Sequence, residues 1–172
     1  DFIGSITLLN SKENRVYRNG VGDGGFKDQN LDCEELLNLG IPLFPIGILG
    51  GEKNIINQNR LTGFKASCGI YLSQTKNNKI SENTIDNFDQ GIFLVGRDKA
   101  ESFNNEFKAN NIINNKVVVL FKELVQNNVF SENTFLNNEK QIEYNSSTKN
   151  EFENNAYDDY KGEGSYYIHT II

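Results

Sequence analysis

The sequence predicts an all-β fold, a right-handed single-stranded parallel β-helix of about six coils with three short strands in each coil. Three observations predict it. An octad of the form Asn-x-apolar-x-x-Asn-x-apolar occurs six times, its copies start 22 to 27 residues apart after a first interval of 40, and each unit contains three short stretches of alternating apolar residues. One unit cannot bury these apolar residues alone, but stacked units can.

The octads set the register of the predicted coils. They begin at Asn14, Asn54, Asn78, Asn105, Asn128 and Asn150. An apolar-x-apolar pair that reads as an additional strand lies eight residues before the first Asn of most units, as in Ile70-Leu72. Amphipathic helical repeats would need apolar spacings of three and four, which these stretches lack. Asparagine tolerates left-handed backbone and can form hydrogen-bonded ladders between stacked strands, so most of the 27 Asn are interpreted as structural.

Composition excludes several classes of protein. The net charge of -6 argues against binding to a phosphate backbone, so we expect no nucleic-acid partner. No stretch reaches the roughly 18 apolar residues of a membrane span. The acidic surface favours an extracellular, cell-surface or periplasmic protein. Cys33 and Cys68, the only cysteines, either form the disulfide of an exported protein or are separate buried thiols.

The chain reads as a single domain over residues 1–172 with two departures from the repeat. Residues 20–45 form an insertion or cap, in which Gly20–Gly25 reads as a loop and Asp28–Leu39 as a short helix. This segment either plugs an end of the solenoid or walls a groove. Residues 158–172 form a C-terminal tail or cap. Few residues precede the first strand, so the chain could be one piece of a longer protein.

Two segments resemble a known family. The run from Gly69 to Ile85 is similar to NosD-like repeats of the CASH group of carbohydrate-binding proteins and sugar hydrolases. Asn155-Ala156-Tyr157-Asp158-Asp159-Tyr160 resembles the segment that ends many such domains, with Tyr157 where Trp is usual. The resemblance covers Ile46 to Tyr160. It implies a right-handed parallel β-helix, export and, in many members, contact with polysaccharide.

Some members of this family are described as periplasmic copper-associated proteins. Copper favours His, Met and Cys ligands, and this chain has no Met, one His (His169) and two Cys. We therefore expect neither a metal site nor a cofactor.

The candidate carbohydrate-binding residues lie on and beside one predicted strand position. Alternation places Tyr71 and Phe93 outward on successive coils, where exposed rings could stack on sugars; the alternative is that they are covered or pack on each other. The insertion Gly96–Glu101 gathers Arg97, Asp98 and Lys99 at the edge of that face. No catalytic residue is assigned.

Three functions remain open at this stage. The first is an exported carbohydrate-binding or cell-surface β-helix module without strong catalytic machinery, whose partner is a polysaccharide or cell-surface glycan. The second is a polysaccharide lyase, hydrolase or epimerase of the pectate-lyase-like class that uses Arg97, Asp98 and Lys99. The third is a structural subunit that self-associates end to end. Whether the protein is an enzyme is left open.

Overall fold

The structure is a computed structural model that describes residues 2–3, 5–22, 44–63, 67–97, 100–146 and 149–158. Within these ranges the chain forms 21 β-strands and no helix. The strands form three parallel sheets, because each strand pairs with the equivalent strand of the next coil rather than with its neighbour in sequence. This confirms the predicted all-β solenoid with three strands per coil.

The three sheets are numbered in the order in which a coil visits them, and a small fourth sheet lies between sheets 1 and 2. Sheet 1 contains β2 (Ile6–Leu9), β5 (Ile46–Leu49), β8 (Cys68–Ser73), β11 (Gln90–Val95), β15 (Val117–Lys122) and β19 (Lys140–Asn145). Sheet 2 contains β3 (Arg15–Tyr17), β6 (Ile55–Asn57), β9 (Lys79–Ser81), β13 (Glu106–Lys108), β17 (Val129–Ser131) and β20 (Glu151–Glu153). Sheet 3 contains β1 (Phe2–Ile3), β4 (Gly20–Gly22), β7 (Arg60–Thr62), β10 (Thr84–Asp86), β14 (Asn111–Ile113), β18 (Thr134–Leu136) and β21 (Ala156–Tyr157). The fourth sheet pairs β12 (Ser102–Phe103) with β16 (Val125–Gln126).

The core lies inside the solenoid and consists of columns of apolar side chains. In sheet 2 the central residue of each three-residue strand points inward, and the last three of these side chains are phenylalanines. The rings of Phe107 and Phe130 stack with centroids 4.3 Å apart, and those of Phe130 and Phe152 with centroids 4.6 Å apart. The parallel register puts identical positions one above another, which is why like residues stack.

Two asparagine ladders run along the solenoid, at the corners that precede sheets 2 and 3. Each side-chain oxygen accepts hydrogen bonds from the backbone N–H and the Nδ2 group of the ladder Asn one coil earlier. For Asn83 these donors belong to Asn59, both at 3.0 Å, and Asn83 Nδ2 donates to Asn110 Oδ1 at 3.0 Å and to the Ile56 carbonyl at 2.9 Å. Ladder 1 contains Asn14, Asn54, Asn78, Asn105, Asn128 and Asn150, and ladder 2 contains Asn19, Asn59, Asn83, Asn110, Asn133 and Asn155.

Left-handed backbone occurs at the corners, but in the residue before each ladder asparagine rather than in the ladder asparagine itself. Glu82 (φ 56°) precedes Asn83, and Ala109 (φ 53°) precedes Asn110. The tolerance of Asn for this conformation therefore explains only neighbours such as Asn77 and Asn104. Hydrogen bonding between coils explains the ladder residues.

The structure corrects the reading of residues 20–45 as an insertion from its first residue. Gly20–Gly22 form strand β4, which pairs with β1 and β7, and Val21 is buried. The glycines resembled a loop, yet Val21 continues the inward position of the octad. At the other end, Phe44 and β5 already belong to the solenoid. The predicted helix Asp28–Leu39 and residues 159–172 of the predicted tail lie outside the described residues.

Candidate binding site

Tyr71 and Phe93 occupy the predicted outward position of sheet 1, but they are not exposed. They are paired in register between β8 and β11, and their rings form an edge-to-face contact with centroids 5.4 Å apart. Tyr71 is 3% exposed and Phe93 is 0% exposed. Alternation fixes the side of the sheet to which a side chain points, not whether that side is covered. Of the two alternatives for these rings, the structure shows the covered one, in which they pack on each other, and their contact with a glycan stays a prediction.

The two rings belong to a second apolar cluster outside the solenoid core, which we call the outer cluster. Its buried members are Phe44, Cys68, Tyr71, Phe93 and Val95. Phe44 stacks on Tyr71 at 5.3 Å, and a Cβ at Gly47 would lie 2.2 Å from Phe44 Cε2. Gly47 thus leaves the space that the Phe44 ring fills. In this structure the side chains of the outer cluster pack against one another.

Cys68 of the outer cluster is disulfide-bonded. The chain has one other cysteine, Cys33, which lies outside the described residues. Of the two alternatives for the cysteines, the structure shows a disulfide at Cys68 rather than two separate thiols, and disulfides are typical of exported proteins.

A groove of about 390 Å³ lies at the corner where sheet 1 turns into sheet 2, and we call it the corner groove. Its volume falls in the range of small-molecule sites, roughly 300–1,000 Å³. Its lining combines charged groups, backbone of two glycines and the ring of Phe103. The lining residues are Lys12, Gly50, Gly51, Glu52, Gln74, Lys76, Ala100, Glu101 and Phe103.

Three charged residues of alternating sign form the floor of the corner groove. Lys12, Glu52 and Lys76 occupy equivalent positions of successive coils and are joined by parallel β-bridges. Glu52 accepts from Lys12 Nζ at 2.5 Å through Oε1 and from Lys76 Nζ at 3.0 Å through Oε2. The hydrogen bonds from Lys12 and Lys76 lower the pKa of Glu52 from 4.5 to about 2. Glu52 is therefore a fixed anion between two cations.

Ala100 and Glu101, from the insertion Gly96–Glu101, line one side of the corner groove. Arg97 and Ala100 close a tight antiparallel turn through hydrogen bonds of 3.0 and 2.8 Å between their backbones. Gln74 Nε2 donates to the Arg97 carbonyl at 2.8 Å, which ties the insertion to the preceding coil. Asp98 and Lys99 lie outside the described residues. The predicted insertion thus borders a groove, but at the corner beside sheet 1.

Sequence reasoning missed Lys12, Glu52 and Lys76. A signal for them existed, since each lies two residues before the first Asn of its octad. Charges of alternating sign at one position of successive repeats predict an ion-paired ladder once the parallel register is known.

The donor set does not fit a copper site. The sequence has no Met and one His, His169, which lies outside the described residues, and the Cys68 sulfur is held in a disulfide. Copper selects imidazole, thioether and thiolate ligands. Among the residues that the structure describes, no group of three or more His, Cys, Asp or Glu is placed to hold a metal ion.

The fold defines the class of protein, a parallel β-helix. The corner groove adds a polar groove beside a turn insertion. One family model, described as periplasmic copper-binding protein (NosD), matches residues 46–169. The match covers well over half of the chain, so the chain belongs to the NosD family of right-handed parallel β-helices. The comparisons with curated proteins and with solved structures found no match. In the described part of the chain, no helix has the length and hydropathy of a membrane span.

Proposed function

We propose that this chain is an exported, non-catalytic β-helix module that binds polysaccharide in the corner groove. Export rests on the periplasmic description of the NosD family and on the disulfide at Cys68. The observation that carries the binding proposal is the corner groove itself, with Glu52 held between Lys12 and Lys76.

The lining of the corner groove suits the hydroxyl groups of a sugar. A carboxylate accepts hydrogen bonds from hydroxyls, and ammonium groups donate to them, so neighbouring groups of opposite charge can bind adjacent hydroxyls. The Phe103 ring and the Ala100 side chain give apolar surface for the C–H faces. This mixture of apolar lining with a few polar groups is typical of ligand sites.

The charge state of Glu52 does not suit a general acid. A general acid works best when its pKa lies near the working pH. The pKa of Glu52 is about 2, so this carboxyl group carries no proton at neutral pH. The lyase, hydrolase or epimerase alternative depends on Asp98, which the structure does not describe, and it remains a prediction.

Retention on immobilised polysaccharides and a glycan array test the proposal. The test variant combines Glu52→Gln with Lys76→Gln, which keeps the net charge of the protein. The matched control combines Glu143→Gln with Lys140→Gln, another exposed ion pair, with Nζ and Oε2 3.3 Å apart. We expect the groove variant to bind its glycan about tenfold more weakly or worse, equivalent to about 1.4 kcal/mol, and the control to bind like wild type. Equal binding by all three proteins, or no binding by wild type across the panel, would contradict the proposal.

A further inference from the structure

Charge is distributed unevenly along the solenoid axis. Described residues 5–22 and 44–63 contain five basic and two acidic side chains, whereas residues 100–146 and 149–158 contain five basic and nine acidic ones. Over the whole of residues 1–63, however, eight acidic side chains outnumber six basic ones, so this part of a protein of net charge -6 is not basic overall. A site for an anion in this part of the chain therefore depends on a local group of cations.

Three side chains on the outer face of β3 and the corner that follows form such a group, which we call the Arg–Tyr cluster. It consists of Arg15, Tyr17 and Arg18, all exposed. The guanidinium carbons of Arg15 and Arg18 lie 4.4 and 4.7 Å from the centroid of the Tyr17 ring. Two cations are therefore held close together against a single aromatic ring.

Hydrogen bonds to the next coil fix both guanidinium groups. Arg15 Nε donates to Asn57 Oδ1 at 3.1 Å, and Arg18 Nε donates to Gln58 Oε1 at 2.9 Å. Gln58 is in turn held by its own hydrogen bond to Glu82 Oε2 at 2.6 Å. Within the described part of the chain, neither arginine forms an ion pair. Each guanidinium thus binds the protein through Nε and keeps its terminal nitrogens for a ligand.

We propose that the Arg–Tyr cluster is an oxyanion-binding subsite for an acidic glycan, one that carries carboxylate or sulfate groups on its sugars. Planar guanidinium groups bind such oxyanions with two parallel hydrogen bonds. The 37% exposed Tyr17 ring offers a face for the sugar that carries the anion. The inference rests on the proposed function and names its ligand class, because Lys12 of the corner groove and Arg15 lie in the same coil.

A glycan fits this surface better than a nucleic acid. Duplex DNA carries one charge per roughly 1.7 Å of its axis and needs an extended basic surface. The protein has net charge -6, and acidic residues outnumber basic ones among residues 100–146 and 149–158, so a long polyanion of high charge density would be repelled there. A chain with charges spaced a sugar or more apart can place its anions at the Arg–Tyr cluster alone.

The test compares binding to four polymers at several salt concentrations: a polyuronate, a sulfated glycan, a neutral glycan and duplex DNA. The variant combines Arg15→Gln with Arg18→Gln. The control combines Lys140→Gln with Lys149→Gln, which removes the same charge from the acidic half. We expect wild type to bind at least one acidic glycan more tightly than the neutral one. The cluster variant should lose about tenfold in affinity for that glycan and part of its salt dependence.

The four arms separate the two proposals. If wild type binds neutral and acidic glycans equally, or if the cluster variant and the control behave alike, the cluster is not the subsite while groove binding stands. If no glycan binds to wild type, both the subsite and the proposed function are wrong. A preference for the polyuronate or for the sulfated glycan identifies the source of the oxyanion. Tighter binding to DNA than to any glycan would overturn the inference. Thermal unfolding of each variant checks that the fold is intact.

Discussion

At the scale of single residues, the ladder asparagines stabilise the solenoid through hydrogen bonds that join successive coils. Each one needs an oxygen that accepts from the coil before it and a nitrogen that donates to the coil after it and to a backbone carbonyl. Asn83 makes all four of these hydrogen bonds and is 1% exposed. Each coil needs a side chain with both an accepting oxygen and a donating nitrogen at this position. That need explains why Asn recurs six times in the sequence.

We predict that Asn83→Ala destabilises the protein by about 3 kcal/mol or more, since buried groups of two coils lose their partners at roughly 1–3 kcal/mol each. The control is Asn111→Ala, because Asn111 is the first residue of strand β14 and its side chain is exposed. It should change the free energy of unfolding by less than about 0.5 kcal/mol. Urea unfolding followed by circular dichroism measures both. A ladder variant as stable as the control would show that the ladder contributes little.

The charged ladder of the corner groove gives a pH dependence. Glu52 has a pKa of about 2 in the folded protein, whereas the usual pKa is 4.5. Its ion pairs therefore stabilise the fold fully at pH values above 4.5. This contribution is lost as the pH falls from about 4.5 to about 2. We predict that Glu52→Gln lowers stability at pH 7 and flattens the decline below pH about 4.5.

Urea titrations at several pH values from neutral to about 2.5 test this prediction. Glu151→Gln is the control, because Glu151 is exposed and forms no ion pair among the described residues. Its profile should follow that of wild type. If Glu52→Gln also keeps the wild-type profile, then the ion pairs with Lys12 and Lys76 do not contribute to stability.

At the scale of elements, the sequence predicted strand positions better than strand environments. The register that places Tyr71 over Phe93 follows from the repeat and is confirmed. Their burial does not follow, because period-two alternation distinguishes the two sides of a sheet but contains no information about what packs outside. For the same reason the corner groove was missed, since it depends on turns and not on strands.

Phe93 is fully buried in the outer cluster, so it should contribute to packing. Removing a fully buried Phe side chain costs about 3–5 kcal/mol through lost contacts and a cavity. We therefore predict that Phe93→Ala lowers the unfolding free energy by that amount. Tyr144→Ala is a matched control on sheet 1, because Tyr144 is 53% exposed, and it should cost much less. A small effect of Phe93→Ala on stability together with lost glycan binding would restore the exposed-face hypothesis.

At the scale of the whole molecule, the repeat determined the architecture because parallel stacking makes each coil a template for the next. Composition, spacing and alternation all agree on this point, and the family match from residue 46 to 169 agrees with them. The excursions from the repeat could not be predicted in the same way. Gly20–Gly22 looked like a loop because glycine is rare inside strands. Their pairing with Arg60–Thr62 nevertheless makes them a strand. End-to-end self-association likewise depends on surfaces beyond the repeat and remains a prediction.

The disulfide at Cys68 links the solenoid to the excursion from it. With Cys33 as the only other cysteine, the bond closes a loop of 35 residues by sequence separation. In the chain-entropy description such a loop contributes about 4 kcal/mol, because it restricts the unfolded chain. We predict that Cys68→Ser and Cys33→Ser each lower the unfolding free energy by up to this amount. Wild type in reductant should match them, whereas the double variant should be no less stable than either single variant. Unfolding curves with and without reductant test this: an unchanged wild-type curve after verified loss of the disulfide would show that the outer cluster holds this face together without the bond.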